Sequence, residues 1–198
     1  MRYATAGHPV EHPTTTGLSN RKMVFWAFLS SECLFFGSLI STYLVYKGRS
    51  LEGPKPHEIF NIPLTSVSTF DLLMSSLMMV LTLAAIQRGK LRQFQFWCFM
   101  TAVMGAIFLG FQAYEFTSFV HEGLKLQTNL FGCTFFVLTG FHGAHVTGGV
   151  IWLVSLLVLS FRGKITQADS LDVEIAGLYW HFVDIVWIAI FTLVYLIP

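Results

Sequence analysis

Charged side chains are scarce in this chain. Asp, Glu, Lys and Arg make up 12% of its 198 residues, which is about half the share found in an ordinary soluble domain. The formal net charge is only +1, so the charge balance gives no support for nucleic-acid binding. Because 54% of the residues are hydrophobic and lie in long blocks, the composition predicts an integral membrane protein.

Cysteine is also scarce, and its spacing argues against two kinds of site. Cys33, Cys98 and Cys133 lie within apolar segments and form no C-x-x-C pair. This pattern is not that of a disulfide framework or a zinc site, and it suits free cysteines used as small apolar residues. The sequence also lacks a Walker loop, a dinucleotide-binding fingerprint and a nucleophile elbow.

Five apolar segments are each long enough to cross a bilayer as a helix, which takes about 20 residues. They cover residues 24–46, 63–86, 94–120, 130–161 and 176–198. Residues 1–20 are polar and lack the apolar stretch of a signal peptide, so the first segment is expected to target the chain. The sequence predicts an all-α fold, a single integral membrane domain over residues 1–198 built as a bundle of five transmembrane helices.

Basic residues are distributed unequally between the two ends of these segments. Four lie on one side: Lys47, Arg49, Lys55 and Lys125. Eight lie on the other: Arg2, Arg21, Lys22, Arg88, Lys90, Arg92, Arg162 and Lys164. Because the side richer in Lys and Arg faces the cytoplasm, the N-terminus is predicted to be cytoplasmic and the C-terminus to be outside.

Seven ionisable side chains interrupt the apolar segments: Glu32, Asp71, Glu115, His142, His145, His181 and Asp184. A charge in hydrocarbon is costly, so such residues usually face a protein interior and are candidates for function. Counting the helix rise of about 1.5 Å per residue from the segment ends puts Glu32, His181 and Asp184 at a similar level in the cytoplasmic half. The two other acids fall in the outer half, and the two other histidines lie nearer the middle.

Glu32 has phenylalanines one helical turn away, at Phe28, Phe35 and Phe36, and no Lys or Arg within reach on its own helix. In such surroundings we expect the carboxyl to carry its proton, in part or fully, at neutral pH. Two interpretations follow for this residue. It is either a proton-exchanging, carbodiimide-reactive carboxyl or a neutral acid hydrogen-bonded to a neighbouring helix.

His142 and His145 are three residues apart and share a helical face. Gly140, Ala144 and Gly148 form a small-residue stripe on a neighbouring face, and such stripes let another helix approach closely. Metal or heme ligation is one interpretation of the two histidines. We favour the alternative, a packing seam in which the imidazoles form hydrogen bonds between helices.

His181 and Asp184 are also three residues apart and are flanked by Trp180 and Trp187. A carboxylate can orient an imidazole at this spacing, as in a proton relay or beside a metal. Aromatic and polar residues near a helix entry also serve as interfacial anchors. We favour a structural hydrogen-bonded site.

The remaining two acids have polar neighbours on their own helices. Asp71 shares its face with Ser68 and Ser75, and Glu115 shares its face with Gln112. Each acid is therefore predicted to be satisfied locally or to meet a partner chain.

The histidine positions do not suit a cofactor. His145 lies 16 residues before the inner end of its segment, and His181 lies 5 residues after the start of the next. The resulting mismatch in level, about 16 Å by helix rise, is too large for one heme iron. The Glu-x-x-His motifs of di-metal carboxylate bundles are also missing. We therefore predict neither a metal site nor catalytic residues in this chain.

Four segments, in this order, resemble subunit III of the heme-copper terminal oxidases. Residues 22–32 resemble that family's glutamate-bearing helix, and residues 112–116 its Q-x-x-E-aromatic segment. Residues 139–146 are similar to its T-G-x-H-G-x-H-V signature, and residues 179–187 to its Y-W-H-F-V-D-x-V-W ending.

The resemblance implies the short, five-helix bacterial form of that subunit, in the plasma membrane. It implies an accessory, non-redox role, with heme and copper in partner subunits that reduce oxygen to water and translocate protons. The chain would pack mainly on subunit I, with subunit II and a small subunit IV as further partners. It would hold structural phospholipid and support proton uptake.

Carried over by motif, Glu32 is the family's buried carbodiimide-sensitive carboxyl. The other intramembrane polar positions of the family correspond to Glu115, His142, His145, His181 and Asp184, whereas Asp71 lies outside every motif. Two further function classes stay open: a heme- or metal-binding membrane enzyme using the three intramembrane histidines, and a small proton channel or transporter. Transporters often contain internal repeats, and this sequence shows none.

Overall fold

The computed structural model describes residues 19–47, 62–121, 123–124 and 130–197, and these form five long helices. Their bounds are α1 (Asn20–Tyr46), α2 (Ile62–Gln87), α3 (Leu91–His121), α4 (Leu130–Phe161) and α5 (Ser170–Ile190). A 3₁₀ turn, Gln167–Asp169, precedes α5, and a π-helical turn, Phe191–Leu196, continues it. Each helix, α5 being taken with both turns, is long and apolar enough to cross a membrane. The predicted all-α architecture of five spans is therefore confirmed.

The first and last helices extend beyond their apolar segments on the predicted cytoplasmic side. α1 begins at Asn20, where the Ser19 hydroxyl accepts a hydrogen bond from the Lys22 backbone N–H at 3.4 Å. α5 begins at Ser170, and its first turns carry acids that pair with the basic start of α1. Arg21 pairs with Asp172, and Lys22 pairs with Glu174. These first turns lie outside the apolar segments, and their charged side chains form ion pairs between α1 and α5.

A tight hairpin joins α2 to α3. Gly89 takes a φ of +70°, a left-handed conformation that glycine adopts without steric cost. The Gly89 N–H donates to the Ile86 carbonyl at 2.9 Å, and the Lys90 N–H donates to the Ala85 carbonyl at 3.0 Å. These bonds satisfy carbonyls at the end of α2 and reverse the chain so that α2 and α3 pack as an antiparallel pair.

α5 lies at the centre of the bundle, where it contacts α1, α2 and α4. α3 packs on α2 and α4, and α1 packs on α4 and α5. Within the most apolar 18 residues of each span, half of the residues are buried in the last helix but only 11% in α1. α1 is therefore peripheral, and most of its apolar surface faces outward.

Two tryptophans of α5 are core residues. Trp180 and Trp187 are each 2% exposed. The Trp180 indole N–H donates to the Ser75 hydroxyl at 3.0 Å, and the Trp187 indole N–H donates to the Thr69 hydroxyl at 3.0 Å. The alternative that they are interfacial anchors is wrong, because each indole finds its polar partner on α2 inside the bundle.

The outer end of α1 is tied to the end of the chain. The Lys47 ammonium donates a hydrogen bond to the Ile197 carbonyl, and burial lowers the pKa of Lys47. The three cysteines are free: Cys98 is buried between α3 and α4, whereas Cys33 and Cys133 lie on the outer surface of the bundle.

Candidate functional site: polar contacts inside the bundle

A hydrogen bond joins Glu32 on α1 to His145 on α4. Glu32 Oε2 and His145 Nε2 are 3.2 Å apart, and His145 Nδ1 lies 2.8 Å from the Phe141 carbonyl oxygen. A carbonyl only accepts, so Nδ1 carries a hydrogen. Nε2 therefore either accepts the proton of a carboxylic acid or donates its own to a carboxylate. The pair is electrically neutral in both arrangements.

Aromatic rings pack beside this pair, but they leave both side chains partly exposed. The Phe36 ring centroid lies 4.9 Å from that of His145, and Phe35 lies 6.4 Å away. The side chains of Glu32 and His145 each remain 19% exposed. The Tyr179 hydroxyl donates to the backbone carbonyl of His145 at 3.0 Å, so α5 fixes the α4 side of the contact. The pair lies on the α1–α4 seam and is open toward the outside of the bundle.

His142 points the other way, into the core. Its exposed fraction is 0%, and its ring stacks on Trp187 with centroids 4.9 Å apart and edge-on to Phe108 at 5.9 Å. Neither ring nitrogen has a hydrogen-bond partner among the described residues. The favoured packing seam, with imidazoles hydrogen-bonded between helices, therefore describes His145 and does not describe His142.

Glu115 joins three parts of the fold near the predicted outer side. Its Oε1 accepts from the Thr65 hydroxyl of α2 at 2.8 Å, and its Oε2 accepts from the Tyr195 hydroxyl of the π-helical turn at 3.2 Å. Gln112 is not its partner, because the Gln112 amide donates to the Thr139 carbonyl of α4 at 2.7 Å. The two polar residues of the Q-x-x-E segment therefore fasten α3 to different helices.

His181 and Asp184 meet through a serine of α2. His181 Nδ1 lies 2.8 Å from the Ser76 hydroxyl, and the Asp184 carboxyl shares a hydrogen bond with the same serine. Asp184 Oδ1 is buried without a further partner among the described residues. The expected hydrogen-bonded arrangement includes a hydroxyl from a neighbouring helix, which the sequence did not identify.

Asp71 lies half-buried on α2 and is not satisfied by its own helix. The Ser68 hydroxyl donates to the Thr65 carbonyl at 2.9 Å, and the Ser75 hydroxyl donates to the Leu72 carbonyl at 2.6 Å. Serines in a helix bond readily to carbonyls one turn back, so neither hydroxyl reaches the acid. The alternative of local satisfaction is wrong for Asp71.

The stripe of Gly140, Ala144 and Gly148 does not mediate helix contacts within the described chain. A Cβ added at Gly140 would meet nothing within 4 Å, and one at Gly148 only the Tyr179 hydroxyl at 3.6 Å. Its role as a packing surface stays a prediction that requires a neighbouring molecule.

The close helix approaches use other glycines. A Cβ at Gly105 would lie 2.5 Å, and one at Gly149 2.8 Å, from the Trp180 ring. A Cβ at Gly143 would lie 2.6 Å from Gln112 Oε1. The approach of α5 to α3 and α4 therefore requires glycine at Gly105 and Gly149, whereas at Gly143 the flexible Gln112 side chain would have to shift. The sequence pattern did not identify these positions.

The three intramembrane histidines lie in three different environments. His145 lies at the α1–α4 contact, His142 in the aromatic core and His181 at the α2–α5 contact. Within the described ranges, no group of three or more His, Cys, Asp and Glu side chains is arranged to hold a metal ion. Apart from Asp71, the intramembrane acids and imidazoles contact side chains of other helices. These features define a multi-pass membrane protein whose intramembrane polar groups join its helices to one another.

Comparison with known proteins gives the family. The sequence model of cytochrome c oxidase subunit III matches residues 11–197, and the chain belongs to that family. It is 40% identical over 199 residues to the quinol oxidase subunit 3 of Bacillus subtilis (strain 168), covering 99% of this chain and 97% of that protein. It is 38% identical over 188 residues to the cytochrome c oxidase subunit 3 of Bacillus sp. (strain PS3), covering 95% and 90%.

Proposed function

We propose that the chain is the accessory, non-redox subunit III of a proton-pumping heme-copper terminal oxidase of aerobic respiration. The observation that carries the proposal is the similarity, over nearly the whole chain, to third subunits of quinol and cytochrome c oxidases. Heme and copper then belong to partner subunits, where oxygen is reduced. The electron donor is set by those partners, which is why relatives of both kinds resemble this chain.

The proposed structural role is to pack on subunit I in the bacterial plasma membrane and stabilise it. Large apolar side chains cover the outer face of each helix, for example Leu34 at 78% and Tyr114 at 65% exposure. Such surfaces are covered in a membrane by partner helices and by phospholipid acyl chains. Subunit II and a small subunit IV are further proposed partners, and the N-terminus faces the cytoplasm.

The proposed role in proton uptake rests on Glu32 and His145. Their contact exchanges a proton between oxygen and nitrogen without changing its net charge, which limits the cost of holding it in a medium of low dielectric. It is open toward the outside of the bundle, so a partner chain or water on that side can exchange the proton. The pair would act as a local proton reservoir beside the redox subunits.

The test is to purify the intact complex through a tag on this chain and then remove the chain with detergent. Heme and copper are expected to copurify with the tagged chain and to remain with the partner subunits after its removal. The depleted complex is expected to take up protons more slowly and to lose activity sooner during turnover.

Two outcomes would contradict the proposal. One is a tagged chain that brings down no heme- and copper-containing partners from aerobically grown membranes. The other is stoichiometric heme or copper leaving with the chain, which a Soret band or metal analysis of the released fraction would reveal.

A further inference from the structure

Asp71 is an acid in a membrane helix to which no described residue donates a hydrogen bond. It lies half-buried on α2, and its Oδ2 is inaccessible and has no hydrogen-bond partner in the described part of the chain. No residue within the described ranges donates to this carboxyl, since the serines that share its face bond to their own backbone. The other acids that the sequence places inside the spans all have at least one polar partner on another helix.

Asp71 lies well inside the span of α2. It lies nine residues from the outer start of α2 and sixteen from the end at Gln87, or about 14 Å and 24 Å by helix rise. Because an unpaired acid in hydrocarbon is costly, we expect its donor to come from a neighbouring molecule within the membrane.

A groove lies between α2 and α3, on the same flank of α2 as Asp71. Its cavity has a volume of about 500 Å³. It is lined by Leu64, Ile107, Gly110, Phe111 and Tyr114, which we call the α2–α3 groove.

The register of the hairpin places Asp71 at the inner end of that groove. The Thr65–Glu115 hydrogen bond sets the level of the antiparallel pair, so a residue six positions further along α2 is level with Leu109, beside Ile107. Leu64 lies seven residues before Asp71, or two turns, and therefore on the same flank of α2.

The α3 side of the groove carries small, apolar residues. A Cβ added at Gly110 would meet nothing within 4 Å, and Ala106 and Ala113 are exposed on the same stretch of α3. Small residues let the backbone of another helix approach closely. The lining is apolar along its length, with the phenol of Tyr114 at its outer end, and the register places Asp71 at the level of its inner end.

We propose that the α2–α3 groove seats a transmembrane helix of a partner subunit, and that a hydrogen-bond donor on that helix meets the Asp71 carboxyl. The choice of a helix rests on complementarity: a lipid acyl chain fills apolar space but brings no donor to an acid at this depth. The inference rests on the proposed function for the identity of the complex, and it assigns the face of this chain that the complex covers.

The first test compares substitutions in the intact complex. Asp71→Leu removes the acceptor and keeps the branching of the side chain, whereas Asp71→Asn keeps a carbonyl oxygen that accepts. Ser66→Leu is the matched control, because Ser66 is exposed on the opposite flank of α2 and its hydroxyl bonds only to the Ile62 carbonyl. The amount of chain retained per heme is measured through a detergent titration.

Asp71→Leu is expected to release the chain about tenfold more readily, as the loss of a hydrogen bond to an acid implies. Asp71→Asn and Ser66→Leu should behave as the unaltered chain does. If lipid alone covers the groove, Asp71→Leu removes a costly acid from hydrocarbon and holds the chain as well or better. That result would overturn the proposal.

A second measurement does not depend on how Asp71→Leu folds. A photo-crosslinking benzoylphenylalanine replaces the exposed Tyr114 in otherwise unaltered chain, and crosslinked peptides are mapped by mass spectrometry. Crosslinks are expected within a membrane segment of a copurifying subunit that carries a donor side chain about one to two helical turns away. Crosslinks to lipid alone would contradict the inference.

The two proposals fail in different ways. If the unaltered chain does not copurify with heme- and copper-containing subunits, the proposed function fails, and a crosslink into a membrane segment of another chain still supports the groove assignment. If the chain copurifies but shows neither the crosslink nor the effect of Asp71→Leu, only the groove assignment fails.

Discussion

The proton shared by Glu32 and His145 makes their contact tolerant of some substitutions and intolerant of others. The imidazole has one ring nitrogen fixed by the Phe141 carbonyl, so only Nε2 faces the acid. A side chain that can donate to Nε2 or accept from it preserves the contact. A permanently charged ammonium can also donate to Nε2, but it leaves a net positive charge at a partly buried position within the membrane, which is costly.

Glu32→Gln is therefore expected to leave assembly nearly intact, because its amide can donate to Nε2 or accept from it. Glu32→Lys adds a net positive charge beside the imidazole, and the chain retained per heme should fall at least about fivefold, as an uncompensated, partly buried charge implies. Quantitative immunoblotting of the purified complex measures this. Equal retention of all three forms would show that the position faces water.

The sequence identified the acids and histidines but not their partners. Charges are conspicuous in apolar segments, whereas serine and threonine are common in membrane helices and often bond to their own backbone, as Thr42 does. Nothing in the pattern distinguishes Thr65, which reaches Glu115. Depth counting also separated Glu32 from His145, because it took the end of the 32-residue helix α4 as the edge of the membrane.

At the scale of whole helices, the packing of α4 against α5 depends on one residue of a glycine pair. Gly149 lies against the Trp180 ring, whereas a Cβ at Gly148 would meet only the Tyr179 hydroxyl, at 3.6 Å. The small-residue stripe of the sequence analysis includes Gly148 and not Gly149, and its role toward a neighbouring molecule stays a prediction. Which face of a helix meets a neighbour depends on the positions of the other helices, and those are absent from a one-dimensional pattern.

Gly149→Ala is expected to destabilise the bundle by about 1–3 kcal/mol, because overpacking forces the indole or the helix to shift. Gly148→Ala is the matched control and should be close to neutral, since its new methyl group meets only a hydroxyl at van der Waals distance. The chain surviving in the complex after stepwise heating measures both. An equal loss for the two variants would refute the assigned α4–α5 contact.

At the scale of the molecule, the number and extent of the helices followed from the apolar blocks because each block must span the same hydrocarbon thickness. The order in which the helices pack did not follow. The central place of α5 depends on Trp180, Trp187 and Ser76, whose contacts span more than a hundred residues along the chain. Such long-range pairs leave no local trace in the sequence.

The orientation of the molecule remains a prediction from its basic residues. With Cys33 and Cys133 replaced by alanine, a new cysteine at Arg88 is expected to resist a membrane-impermeant maleimide applied to intact cells. A cysteine at His121, at the other end of α3, is expected to react. Permeabilised cells provide the control in which both react, and the reverse pattern in intact cells would invert the topology.

The peripheral place of α1 has a consequence for synthesis. α1 leaves the ribosome first, yet it packs on α4 and α5, which are made last. About 150 residues must follow it, which takes roughly 8 to 30 s at ordinary translation rates. During that interval Glu32 has no imidazole to meet and the basic start of α1 has no acids to pair with. We therefore expect α1 to stay in the bilayer with its polar groups unpaired until the last two helices are inserted.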